Sequence, residues 1–163
     1  MTRRSTTGGP FVIAQVAYIV ALGASFIWFT MGFRYFSYQP KTAAKVMIPG
    51  SARDSPLFQT FAAAVRFLGG FNAAFALMSL VLLVLALTGS ALFMAPGERA
   101  VVLFILAAAH FSQFYFNVPV LRNGERQGEA YWPVLSGPML TIFVVDAAET
   151  LINLGAGLVQ LVS

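Results

Sequence analysis

Residues 11–33 read FVIAQVAYIVALGASFIWFTMGF, a run of 23 residues without one charged side chain. A helix needs roughly 20 predominantly apolar residues to cross the hydrocarbon of a bilayer, so this stretch is long enough to span. Arg3 and Arg4 ahead of it resemble the start of a secretory leader. The apolar run is longer than the hydrophobic region of such a leader, which predicts a retained helix. Gly8-Gly9-Pro10 punctuates its start, with the proline suited to a first turn.

Working outward, Arg34 to Asp54 is the longest polar connection. Within it Lys41 and Lys45 flank Ala43-Ala44 and precede Val46-Met47-Ile48. A short helix lying in the interface and an ordered loop account equally well for that pattern. Ser55-Pro56 reads as a helix start, serine capping and proline taking the first turn. The helix that follows continues to about Leu87, longer than a perpendicular span requires, so it tilts or projects. Thr88 to Gly97 is a turn, and a third helix runs from about Glu98 to Leu121. Arg122 to Tyr131 is hydrophilic and belongs in water. The fourth helix begins near Trp132-Pro133, or alternatively at Pro138, and ends near Leu161. Tyr131 and Trp132 sit where an interfacial aromatic belt is expected.

The spans are therefore about 11–33, 57–87, 98–121 and 133–161. The fold class is all-α, an integral membrane four-helix transmembrane bundle, with residues 1–163 as a single transmembrane domain. Composition agrees: 58% of the residues are hydrophobic and 10% charged, against about a quarter charged in soluble domains. Cysteine is absent, which excludes disulfides, zinc–thiolate sites, iron–sulfur clusters and thiol catalysis. The net charge of +4 comes from ten basic residues scattered over tails and loops. Nucleic-acid binding would need a clustered stripe, so lipid headgroups are the expected partners of these charges. Arg3, Arg4 and Arg99 lie on the side of the termini. Arg34, Lys41, Lys45, Arg53, Arg122 and Arg126 lie on the side of the polar loops. The excess places those loops in the cytoplasm and the termini outside.

Polar residues inside spans face a bundle interior or a cavity. His110, Gln113 and Asn117 are separated by three and four residues, and Asp146, Glu149 and Asn153 repeat that spacing. Each set shares one helix face. Counting at about 1.5 Å per residue from the shared loop puts His110 and Asp146 some 16 to 20 Å deep, with Arg66 about 15 Å from the same membrane face. The expectation is that Arg66 pairs with Asp146 or Glu149, since an unpaired buried charge is strongly destabilising. Gly69, Gly70, Ala73 and Ala74, and Ala17, Ala21 and Ser25 on the first helix, are small residues suited to close helix contact.

Several chemistries fall away. A di-iron site wants two Glu-x-x-His motifs, whereas the single histidine stands in His-x-x-Gln. That histidine also rules out bis-histidine haem within one chain, though His110 with a methionine is admissible. Both lysines lie in a loop, so no retinal Schiff base forms inside a span. A single metal on His110, Asp146 and Glu149 is chemically reasonable. A quinone, lipid or sterol head on His110 and Gln113 also fits, with Phe111, Phe114, Tyr115 and Phe116 as flat walls, as does a pigment held by His110. No specific cofactor follows. Ser112 points well away from His110 around the helix, so no nucleophile and base arrangement emerges.

The stretch from Leu57 to Val120 resembles Erg28-like proteins, small four-span scaffolds that gather sterol-processing enzymes in a membrane. Thr60-Phe61 before an arginine-bearing helix and Ala109-His110-Phe111-Ser112 in the third span carry the resemblance. It implies a non-catalytic organiser. The leading expectation, drawn from the missing catalytic constellation, the lack of soluble domains and the small-residue stripes, is a non-catalytic accessory or scaffold subunit that packs through apolar faces against other integral membrane proteins or a second copy, with a membrane enzyme using a metal at the polar cluster as a third class. The alternative is a binding protein for a lipid, quinone or pigment, or a proton-coupled carrier, using Arg66, His110, Gln113, Asn117, Asp146, Glu149 and Asn153.

Overall fold

The computed structural model describes residues 8–124 and 132–163. Arg3, Arg4, Arg126 and Tyr131, used above for orientation and the aromatic belt, lie outside them. All regular structure among the described residues is helical. In chain order it is α1 (Gly8–Tyr38), α2 (Pro40–Met47), a single 3-10 turn (Gly50–Ala52), α3 (Pro56–Leu87), α4 (Pro96–Asn123) and α5 (Gly137–Val162). Four of these are long and apolar enough to cross a membrane.

Proline sets most of the starts. Pro40, Pro56, Pro96 and Pro138 each stand in the first turn of a helix, where the missing N–H would have had no partner and the fixed φ is already helical. At α3 the Ser55 hydroxyl accepts the Leu57 N–H at 3.2 Å, as the sequence predicts. The fourth span is shorter than 133–161. Trp132 to Ser136 form turns, and Gly137 enters α5 at a φ of 56°, so Pro138 rather than Pro133 marks the start. Conversely α1 continues past Phe33 through Arg34 to Tyr38.

The polar connection contains a true helix. Ala43 and Ala44 of α2 are buried while Lys41 and Lys45 face outward, and Ala44 packs on Phe58 and Ala62 of α3. Arg53 donates to the carbonyls of Lys45 and Ile48 at 2.6 and 3.0 Å, satisfying acceptors that a helix C-terminus leaves open.

Helix α1 is the hub of the bundle. It runs antiparallel to α3, with Gln15 donating to the Ala86 carbonyl and Ser37 against Gly69. It is antiparallel to α5 as well, with Gln160 donating to the Ala14 carbonyl. Helices α4 and α5 form the second tight antiparallel pair. Helices α3 and α4, though consecutive in the chain, barely touch. The core between them holds Tyr18, Leu22, Phe29, Leu82, Leu103 and Leu106. The outer faces are lined with exposed apolar side chains such as Ile27, Phe67 and Leu151.

Glycines decide how near α1 and α3 approach. A Cβ at Gly69 would overlap Ser37, and one at Gly32 would overlap the Asn72 amide. Gly70 has open space around it, so only one of the paired glycines works at the seam. Replacing Gly69 with leucine should lower the Tm of the detergent-solubilised protein by several degrees, because overpacking a close contact costs about 1–3 kcal/mol. Gly70→Leu should leave Tm unchanged or raise it slightly. Thermal melts of the two variants check the assignment.

Candidate functional site

A polar cluster lies sealed at the junction of α1, α4 and α5. Its members are Ser25, His110, Asp146, Glu149 and Asn153, none more than 5% exposed. His110 is the centre. Its Nδ1 lies 3.1 Å from Asp146 Oδ1, and its Nε2 lies 3.4 Å from Ser25 Oγ and 3.9 Å from Glu149 Oε2. Ser25 donates to Glu149 Oε2 at 3.3 Å, and the Asn153 amide donates to Ser25 Oγ at 3.0 Å and to Glu149 Oε2 at 3.2 Å. Trp28 donates its indole N–H to Asp146 Oδ1 at 2.9 Å. Phe29 stacks on the imidazole with centroids 4.5 Å apart, and Phe75 stacks on Phe29 at 5.0 Å.

Local helix geometry explains the convergence. Ser25 and Trp28 are three apart on α1, and Asp146, Glu149 and Asn153 follow at three and four on α5, so each set shares a face. With both ring nitrogens protonated, His110 would have an acid on each side and balance one of the two charges. The other carboxylate, Glu149, has the Ser25 hydroxyl and the Asn153 amide as donors.

This arrangement corrects two expectations. Arg66 is exposed on α3, and the partner of the buried carboxylates is His110 rather than arginine. Helix α3 packs on α1, not on α5, and an arginine on its outer face has no line to Asp146. Nor do His110, Asp146 and Glu149 form a metal centre. The two acids lie at opposite nitrogens of one ring, whose lone pairs diverge, so a single ion cannot meet all three. Among the described residues no group of three such side chains converges on a point.

Ser25, His110 and Asp146 stand in the order of a hydrolase triad, but the surroundings disable it. Ser25 has no exposure, lies inside a continuous helix and has Glu149 as its acceptor. Its helical neighbours keep their backbone N–H groups bonded, so none is free to hold an oxyanion. The cluster acts as a knot joining three helices.

The second stripe divides at this point. Gln113 and Asn117 leave the cluster and face a set of contiguous cavities toward α2. One, of about 250 Å³, is lined by Tyr35, Met47, Gln113, Asn117 and Trp132. The next, about 240 Å³, is lined by Trp28, Tyr35, Asn72, Gln113 and Thr141. A third, about 270 Å³, reaches Phe29, Phe75, Asn72 and Gln113. Gln113 borders all three. Asn117 is held by its own contacts, donating to the Gln113 carbonyl at 2.7 Å and accepting the Trp132 indole N–H at 2.8 Å. Trp132 thus turns inward instead of joining an aromatic belt. The Gln113 amide makes no hydrogen bond among the described residues, and the Tyr35 hydroxyl, sealed from the cavity space, has no partner either.

Ser25, Trp28 and Tyr35 are the residues that the polar stripes on α4 and α5 did not disclose. Their signal was present, since they succeed one another on α1 at spacings of three and seven. Phe111 and Tyr115, expected as walls around His110, are exposed on the outer face of α4, and Phe116 borders the Gln113 cavity. Phe29 provides the wall instead.

No family model, curated protein or solved structure matches this chain.

Replacing His110 with asparagine should destabilise the protein by about 3–5 kcal/mol, because it leaves carboxylates buried without their partner. Combining it with Asp146→Asn should recover part of that loss, giving a favourable coupling in a double-mutant cycle. Arg66→Ala should be neutral. Denaturation in mixed micelles measures these three variants and Asp146→Asn alone, which completes the cycle.

Proposed function

We propose that this chain is a multi-pass membrane protein that binds an amphiphile with a flat, hydrogen-bonding head of the quinone class, and does not transform it. The observation that carries this reading is the cavity system beneath α2. Its walls are mostly apolar and aromatic, and a polar group that makes no hydrogen bond among the described residues, the Gln113 amide, borders it. Small-molecule sites combine these features, an apolar concavity with a few convergent polar groups. A head with an oxygen acceptor would take an amide hydrogen from Gln113.

Insertion in a bilayer is supported by the four apolar helices and by the apolar side chains on their outer faces, which water would disfavour. Arg34, Lys41, Lys45 and Arg122 cluster at the end of the bundle that carries α2 and are exposed. An excess of basic residues marks a cytoplasmic side, so the termini face the opposite side. Binding without turnover is supported by the sealed position of Ser25 and His110, which the walls of these three cavities do not include.

A second reading, an accessory or scaffold subunit of the kind the Erg28-like resemblance implies, draws on the same exposed faces. A partner protein retained through purification in mild detergent would favour it.

Both tryptophans of the chain, Trp28 and Trp132, border the cavities, so intrinsic fluorescence reports on occupancy. Titration with decyl-benzoquinone should give saturable quenching. Gln113→Leu should weaken it by about three- to tenfold, the worth of one net hydrogen bond. Quenching that rises linearly without saturation, equal in wild type and variant, would overturn the proposal.

A further inference from the structure

We infer that the head of the ligand carries a ring hydroxyl, so that the site takes the reduced, quinol form in preference to the quinone, and that Asn72 makes this choice. The inference rests on the head site proposed above and adds the chemistry which that site selects.

Asn72 of α3 borders two of the cavities that Gln113 borders. Its Nδ2 donates to the Leu68 carbonyl at 2.7 Å. That bond fixes which way the amide faces, because exchanging its two ends would set oxygen against oxygen. The Oδ1 is thereby turned onto Gly32 of α1, which lines the same cavity as Trp28. A side chain in place of Gly32 would overlap this oxygen, so the glycine leaves room for it. The Oδ1 accepts no hydrogen bond among the described residues and, unlike the Tyr35 hydroxyl, it is not sealed.

The indole and hydroxyl donors of the walls are spent elsewhere. Trp28 gives its N–H to Asp146 at 2.9 Å, and Trp132 gives its own to Asn117 at 2.8 Å. Ser112 gives its proton to the Ala109 carbonyl at 2.7 Å and has only its oxygen left to offer. Thr141 carries a hydroxyl that gives or takes, so it favours neither form. Gln113 presents an amide N–H and a carbonyl oxygen, and turning the amide suits it to either form. Asn72 is held and cannot turn. The walls therefore present a fixed acceptor with no fixed donor to answer it.

A quinone offers acceptors alone. Beside Asn72 it leaves Oδ1 without a partner and excludes the water that would have answered it. A quinol hydroxyl donates to Oδ1, and a hydroxyl oxygen still takes the Gln113 amide hydrogen. An enclosed polar group left unpaired costs at least as much as the bond it fails to make. One hydrogen bond made by the quinol and refused to the quinone corresponds to a preference of about tenfold.

The test uses the full chain in lipid nanodiscs under argon. Decyl-benzoquinone supplies the tryptophan quenching, and decyl-benzoquinol and its dimethyl ether compete with it. The quinol should relieve the quenching with an affinity about tenfold above that of the quinone. The ether keeps the ring and both oxygens but has no proton to give, and should bind about tenfold more weakly than the quinol. Asn72→Leu keeps the branch at Cγ and removes the acceptor, and should bring the quinol down to the affinity of the quinone. Gln113→Leu should weaken both forms alike and preserve their ratio. A quinol no tighter than a saturably bound quinone, or an ether that competes as well as the quinol, would overturn the preference while the head site stands. A ratio that survives Asn72→Leu or vanishes in Gln113→Leu would take the choice away from Asn72 and overturn the inference. Should Asn72→Leu bind neither form, the ether on the unaltered chain decides. Quenching by the quinone that never saturates would overturn the head site and this inference together.

Discussion

The bundle depends on one imidazole held between two carboxylates. In a hydrocarbon setting, unpaired polar groups at the centre of a span have no solvent to fall back on. Asp146 and Glu149 lie within one turn of α5, and their only basic partner among the described residues is His110 of α4. That pairing fixes the rotation of α4 against α5. Ser25 and Trp28 then bring α1 to the same point, so three helices share one register. The hydrophobic contacts around it, Leu22, Leu103 and Leu106, fill space but cannot set register, because in lipid the outside of a helix is as favourable for leucine as the inside.

The second constraint is where backbones can approach. Glycines at 32, 69 and 157 let α1 meet α3 and α4 meet α5 closely. Helix α3 is held by α1 on one side and by α2 near its start, and its backbone stays apart from that of α4. A bundle packed in two tight pairs therefore has one wider seam, bridged by side chains such as Leu82 and Leu103 rather than by close backbones.

These two features place the cavities in relation to the cluster. Trp28 presents one edge to the cavity and gives its N–H to Asp146. Phe29 lines the next cavity and covers His110 with its ring. The cavity wall is in this sense the cover of the sealed cluster, and a molecule seated there rests on groups already fastened to the helix junction.

The amino-acid sequence by itself determined the helical class, the number of long apolar helices, most of their starts and the inward stripes on α4 and α5. These properties are local: they depend on apolar runs, on prolines in first turns and on spacings of three and four. Only the tertiary structure decided which stripe members meet. Arg66 counts to the depth of Asp146 from the sequence, but Gly69 lies against Ser37 while Asp146 takes Trp28, so Arg66 sits about three turns nearer the end of the bundle, and α3 turns it outward. Gln113 shares a face with His110, but one turn along α4 the neighbours change from α5 carboxylates to an open cavity. Ser25 reads as a small contact residue until the helix opposite it is known. Partners across a bundle depend on how whole helices rotate and cross, and that is set by close contacts such as Gly69 on Ser37, whose two halves lie far apart in the chain.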